Sequence, residues 1–215
     1  MISPRQQKDT RPKPRLYLVT PAAADPQALK FDLLAALDSA DIAAVLMRLP
    51  DDDERALINR VKAIAPVVQN TDAALILDGH PRIVARSGAD GAHLTGLAAF
   101  EDSVASLKPD RIAGIGGLET RHDAMVAAET GADYVMFGDN ARPSLEALVE
   151  RVSWWADVFE IPCVAYATAL DEIAPLVNAG ADFVAVGDAV FADPRGVARA
   201  AADAGSRLSP AEVAQ

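Results

Sequence analysis

Gly131-Ala132-Asp133-Tyr134-Val135-Met136-Phe137-Gly138 is a helix stop followed by a strand: a glycine that can end a helix in the left-handed conformation, then four apolar residues with no solvent-facing alternation. The same entry recurs at Gly88-Ala89-Asp90 and Gly180-Ala181-Asp182, each time before another short apolar run. Working outward, eight such runs alternate with stretches of helical period: Leu16 to Thr20, Ile42 to Arg48, Ala73 to Asp78, Gly91 to Thr95, Arg111 to Ile115, Tyr134 to Gly138, Cys163 to Ala167 and Phe183 to Gly187. Runs that are apolar on both faces belong to a sheet covered on both sides, which means parallel strands and crossover helices. Eight β/α units predict an α/β protein that closes as a single (β/α)8 TIM barrel over residues 15–205. An open doubly wound sheet is the alternative. The barrel is favoured because the first strand runs into Val19-Thr20-Pro21-Ala22-Ala23, with no Gly-x-Gly-x-x-Gly turn.

Helix signals fit this order. Asp25-Pro26 reads as an N-cap with proline in the first turn, followed by Leu29, Leu33 and Leu37 on one face. Asp51 to Glu54 places acid at the start of the next helix, which Pro66 is expected to end. Thr120 and Asp123 resemble a capping box, and Asp193-Pro194 is read as another helix start. Leu145, Leu148, Val149, Val152 and Trp155 form a long stripe. The adjacent Trp154 and Trp155 lie either on the flanks of one wide buried face or with Trp154 and Val158 exposed as an apolar stripe.

Composition narrows the function classes. The 215 residues carry 20 Lys+Arg against 31 Asp+Glu, a net charge of −11, which argues against a nucleic-acid binder. No stretch approaches the ~20 apolar residues of a membrane helix, so no membrane association and a cytoplasmic location are expected. Residues 1–14 read as a flexible, proline-interrupted basic arm and residues 206–215 as a tail. Cys163, the single cysteine, sits in an apolar run and is expected to be a buried thiol.

Barrel sites form where strands end, so the residues closing each strand are the candidates: Thr20, Arg48, Asp78, His93, Gly116, Gly117, Gly138, Asp139, Thr168, Gly187 and Asp188. Arg48 suits a phosphate or carboxylate, or an ion pair with Asp78. Asp78 can hold a hard cation or open the turn at Gly79. His93 faces either the barrel mouth or the helices, whereas His80 and His122 read as structural. The glycines offer backbone N–H groups to an anion, or are simply turn residues.

Over Leu16 to Phe191 the order of motifs resembles the thiamine-phosphate synthase and thiazole tautomerase superfamily. The resemblance rests on Leu16-Tyr17-Leu18-Val19-Thr20, Gly88-Ala89-Asp90-Gly91-Ala92-His93-Leu94, the segment from Gly131 to Gly138, and Gly180-Ala181-Asp182-Phe183-Val184-Ala185-Val186. It implies a reaction in which Mg²⁺ helps pyrophosphate leave a hydroxymethylpyrimidine and the nitrogen of a thiazole phosphate captures the resulting cation. It makes Arg48 and His93 catalytic, with Arg48 matching the family's second-strand Gln-x-Arg-x-Lys and His93 its fourth-strand Asp-Gly-x-His. Asp78 matches the acid of a third-strand Asn-Asp pair and becomes the metal residue. Thr20, Arg48, Gly116, Gly117, Gly138, Asp139, Thr168, Gly187 and Asp188 become the substrate-binding set.

Elsewhere the chain departs from the pattern. Leu46 and Pro50 stand for the Gln and Lys, and Leu77 for the Asn. Thr95-Gly96-Leu97-Ala98 stands for Gly-Gln-x-Asp, and Asp139-Asn140-Ala141-Arg142-Pro143 for the Thr-x-Thr-Lys loop. Ala167-Thr168-Ala169 replaces Gly-Gly-Ile, Asp188 replaces a Ser, and Glu119 aligns with the tautomerase His. Added acid at two phosphate positions leaves synthase competence open. A divergent barrel binding another small molecule near Asp78, Asp139 and Asp188 is the alternative, and a non-catalytic partner-binding protein a third. Self-association into a homo-oligomer fits any of them.

Overall fold

The computed structural model describes residues 12–22, 25–140 and 143–209. Eight parallel strands, β1 (Arg15–Val19), β2 (Ile42–Met47), β3 (Ala74–Asp78), β4 (Gly91–Thr95), β5 (Ile112–Gly116), β6 (Tyr134–Phe137), β7 (Cys163–Ala167) and β8 (Phe183–Val186), pair in chain order. The ring closes where Leu16 pairs with Val184 of β8 and, on the other side, with Ile42 of β2. This is the (β/α)8 barrel expected from the alternation of runs, and each strand lies within one residue of its predicted limits. Of the arm expected over residues 1–14 and the tail expected over 206–215, residues 1–11 and 210–215 lie outside the described residues.

The helices are α1 (Pro26–Ser39), α2 (Glu54–Gln69), α3 (Val84–Ser87), α4 (Leu97–Leu107), α5 (Arg121–Glu129), α6 (Leu145–Val158), α7 (Ile173–Asn178), α8 (Asp188–Phe191) and α9 (Val197–Ser206). Asp25 caps α1 by accepting from the N–H groups of Gln27 and Ala28, and Thr120 with Asp123 makes the expected capping box on α5.

Two helix boundaries differ from expectation. Pro66 lies inside α2, which continues to Gln69. Val67 and Val68 after it are buried against the core, and that burial outweighs the hydrogen bond that proline cannot donate. Asp193-Pro194 does not begin a helix: α9 starts three residues later behind Gly196, and the Asp193 carboxylate accepts from the backbone and guanidinium N–H groups of Arg195.

The alternating sides of each strand build two cores. Leu16, Leu18, Val45, Met47, Leu75, Leu77, Val135 and Phe137 point outward and are buried beneath the helices. Tyr17, Val19, Ala44, Leu46, Ile76, Tyr134, Met136, Val164 and Ala185 point inward and fill the barrel. Trp155 donates its Nε1–H to the Ile161 carbonyl and stacks on Phe159, while Trp154 packs edge-on to both rings with the Arg121 guanidinium over its face. Both tryptophans thus serve the wide buried face, and Val158 alone of the proposed stripe stands 61% exposed.

The three Gly-Ala-Asp entries do a job the sequence reading did not foresee. Asp90 accepts from the Leu75 N–H of β3, Asp133 from the Ala113 N–H of β5, and Asp182 from the Cys163 N–H of β7. Each aspartate entering an even-numbered strand thereby satisfies a backbone donor at the N-terminal edge of the strand before it. Gly131, at φ 100, takes the left-handed turn that brings its aspartate to that position.

Candidate active site

At the C-terminal ends of the strands, Leu46, Arg48, Asp78, His93, Thr95, Met136, Asp139, Asn140 and Tyr166 line one pocket of about 110 Å³. For scale, an apolar cavity of about 150 Å³ accepts a benzene ring. Four of the residues singled out from the sequence meet there. Arg48 follows β2 and turns its Nε to 3.4 Å from Asp78 Oδ2 at the end of β3, so the ion pair forms on the pocket wall itself. The Arg48 side chain is 37% exposed, so a ligand entering from the mouth can still reach it.

His93 faces the barrel mouth rather than the helices: its side chain is only 2% exposed and forms part of the pocket wall. Its Nδ1 lies 3.0 Å from the Tyr134 hydroxyl, which in turn lies 2.7 Å from the Tyr17 hydroxyl. Burial holds both phenols well above the ordinary tyrosine range, and the nearby Asp78 and Asp139 carboxylates push the same way. On the other edge of the imidazole, Nε2 is buried without a hydrogen-bond partner, 3.6 Å from Asp139 Oδ2. Asp139 is held by the Gly117 N–H, which reaches its Oδ2 at 3.0 Å and its Oδ1 at 3.2 Å.

The glycines of β5 make this arrangement possible. A Cβ on Gly114 would fall 2.0 Å from the Tyr134 ring, and one on Gly116 would fall 2.1 Å from Asp139 Oδ2 and 2.7 Å from His93 Nε2. Gly116 and Gly117 therefore act toward the protein's own groups, one by giving room and the other by donating to a carboxylate.

The remaining candidates stand apart from the pocket wall. Thr20 is fully buried and its hydroxyl accepts from the Arg48 N–H, fixing the strand end that carries the guanidinium. Gly138, at φ 88, turns the chain against Leu148 after β6. Thr168 is exposed, and its N–H goes to the Glu172 carboxylate, an internal anion at the end of β7. Gly187 gives room to the Tyr166 hydroxyl, and Asp188 beside it is exposed at the start of α8. Glu119 is exposed, and its carbonyl accepts from Arg151. Tyr17, Tyr134, Met136 and Tyr166 were not among the candidates; their signal was the inward position at every second residue of β1, β6 and β7.

The donor set also bears on Mg²⁺. Among the described residues no three His, Cys, Asp or Glu side chains are grouped so as to cage a metal ion. Asp78 and Asp139 do place two carboxylates on one pocket. Magnesium commonly takes only one or two protein carboxylates and completes its shell with phosphates and water, so these residues fit an ion that arrives with a phosphorylated ligand.

A closed parallel barrel with a small polar pocket at the C-terminal mouth of its strands defines the class: a (β/α)8 barrel of the small-molecule enzyme type. The family model for thiamine monophosphate synthase matches residues 16–190. The chain belongs to the thiamine monophosphate synthase family. It is 43% identical to the thiamine-phosphate synthase of Rhodospirillum centenum over 196 residues, covering 88% of this chain and 95% of that one. It is 32% identical to the thiamine-phosphate synthase of Hyphomonas neptunium over 206 residues, covering 88% and 91%. Among solved structures, the thiamine phosphate pyrophosphorylase from Pyrococcus furiosus superposes with a TM-score of 0.74 at 23% identity, over 91% of this chain and 96% of that one. No helix among the described residues is long and apolar enough to cross a membrane.

Proposed function

We propose that this barrel is a thiamine-phosphate synthase, joining hydroxymethylpyrimidine pyrophosphate to thiazole phosphate with release of pyrophosphate. The observation that carries the reading is the meeting of Arg48, Asp78, His93 and Asp139 in one pocket of a chain whose relatives bear that name. In the reaction the bond between the pyrimidine methylene and the pyrophosphate oxygen breaks with its electron pair leaving on pyrophosphate. The thiazole nitrogen then donates its lone pair to that carbon, and no proton need be transferred. Such chemistry calls for charge stabilisation at the leaving group more than for a general base.

Arg48 would take the departing pyrophosphate oxygens through its exposed N–H edge, and Thr20 would keep that strand end in place. Asp78 would hold a Mg²⁺ ion, which when bound neutralises pyrophosphate charge as it leaves. The inner wall of Leu46, Met136 and Tyr166 would receive the pyrimidine ring and shield the cationic carbon from water. Repulsion is smaller than the sequence suggested. Asp188 points to solvent, which leaves one added carboxylate, Asp139, at the pocket, and the Gly117 N–H partly offsets its charge.

The reading includes a phosphorylated small-molecule substrate and action in the cytoplasm. The exposed apolar side chains of Phe31, Leu34 and Val158 are compatible with association of copies. The test is ³¹P NMR of pyrophosphate release from the two substrates with Mg²⁺, run beside Arg48→Ala and Asp78→Asn. Turnover by the wild type that falls at least about 100-fold in both variants supports the reading. Absence of wild-type turnover at millimolar substrate overturns it.

A further inference from the structure

The hydrogen-bond chain through the barrel fixes where the His93 proton sits. If Nδ1 carried it, Nε2 would present a lone pair to the Asp139 carboxylate 3.6 Å away, two acceptors facing each other in a nearly water-free space. With the proton on Nε2 the conflict disappears: Tyr134 donates to Nδ1 and Tyr17 donates to Tyr134, using both phenolic protons. The Nε2–H is then a buried donor with no acceptor in bonding reach, the kind of group a ligand satisfies. Beside it Asp139, held by one backbone N–H, keeps lone pairs for a further donor. Both atoms lie against Gly116, where a Cβ would fall 2.1 Å from Asp139 Oδ2 and 2.7 Å from His93 Nε2, and both side chains line the pocket together with Leu46 and Met136.

We propose that the His93 Nε2–H and the Asp139 carboxylate are a paired donor and acceptor that read the amidine edge of an aminopyrimidine, in which an unprotonated ring nitrogen lies beside an exocyclic amino group. The ring nitrogen accepts from His93 and the amino group donates to Asp139. Tyr134 and Gly117 hold the two readers in place. The choice of a pyrimidine among amidine-bearing heterocycles rests on the synthase reading; the order of donor and acceptor rests on the geometry alone. Asp139 is thus a specificity-determining residue, which accounts for an acid in the segment that stands for the family's phosphate loop.

The experiment is isothermal titration calorimetry with 4-amino-5-hydroxymethyl-2-methylpyrimidine and its analogue bearing hydrogen in place of the amino group. Neither carries phosphate, so binding is read apart from turnover. The wild type is expected to favour the amino form by at least about 30-fold, and Asp139→Ala to reduce that preference to within about 3-fold. A folded Asp139→Ala protein that keeps the preference, or a wild type that binds neither compound or both equally, overturns the proposal.

A second readout needs no variant. The chain has three histidines, so ¹⁵N-histidine labelling gives a spectrum that can be assigned, in which the proton must sit on His93 Nε2 and that nitrogen must shift on saturation with the aminopyrimidine. A proton on Nδ1, or an unmoved Nε2 at saturation, is equally fatal. Intact preference without pyrophosphate release would remove the synthase reading alone. Release without preference would remove this proposal alone.

Discussion

A methyl group at residue 116 would land 2.1 Å from Asp139 Oδ2 and 2.7 Å from His93 Nε2, so one small substitution tests whether those two atoms matter together. Because Asp139 must then move off its place over Gly117, Gly116→Ala is expected to lower kcat/KM by about 10- to 100-fold, since misplacement on the order of 1 Å can cost that much. The Tm should drop by only a few degrees, and steady-state kinetics beside a thermal melt would show the split. Tyr134→Phe acts deeper. It leaves His93 Nδ1 and the Tyr17 hydroxyl each without their partner in a buried space, an expected cost of about 1 to 3 kcal/mol in urea unfolding. Arg48, Asp78 and Asp139 were legible from the sequence because each closes or follows a strand, where barrel chemistry lies, and His93 because it is the one imidazole within a predicted strand. The tyrosines were not, since a ring inside an apolar strand reads as core until the register shows which way it points. Nor could the sequence show that Gly116 and Gly117 serve an internal carboxylate rather than a ligand.

Among the elements, the repeated Gly-Ala-Asp turns were readable as helix stops, but the role of their carboxylates was not, because a bond from a turn to the previous strand depends on barrel register. Asp90 accepts from the Leu75 N–H and from the Gln69 side chain, so Asp90→Ala is expected to cost about 1 to 3 kcal/mol by urea unfolding, with little change in kcat at the far mouth of the barrel. The turn before α9 offers a pH test. The hydrogen bonds from Arg195 lower the Asp193 pKa to about 2 from 3.8. A depressed carboxylate contributes stability above its unfolded pKa and loses it as pH falls through the folded value, so the contribution should fade between about pH 4 and pH 2. Asp193→Asn should flatten that part of the stability profile in thermal melts; an unchanged profile would show that the exposed cluster contributes nothing. Pro66 was misread because a breaker gives way when buried side chains beyond it hold the helix, and Asp193-Pro194 because a neighbouring arginine claims the capping carboxylate.

For the whole molecule, closure of eight strands in chain order places residues from β2, β3, β4, β6 and β7 around one pocket, although they are separated by more than a hundred positions in sequence. The alternation of apolar runs made that architecture legible without side-chain detail. The chemistry was less legible, because the family's phosphate positions are replaced and only the folded barrel shows Asp188 turned to solvent and Asp139 turned to His93. The net charge of −11 adds a general repulsion toward phosphorylated substrates. Chelation of Mg²⁺ with EDTA is accordingly expected to abolish turnover, and added Mg²⁺ to restore it. The most direct measurement is of product stoichiometry: thiamine phosphate by chromatography with fluorescence detection, and pyrophosphate from the same reaction, with both substrates and with each omitted. The account predicts the two products in equal amounts, and thiamine phosphate only when both substrates are present. Pyrophosphate without thiamine phosphate, or neither product at millimolar substrate, would contradict it.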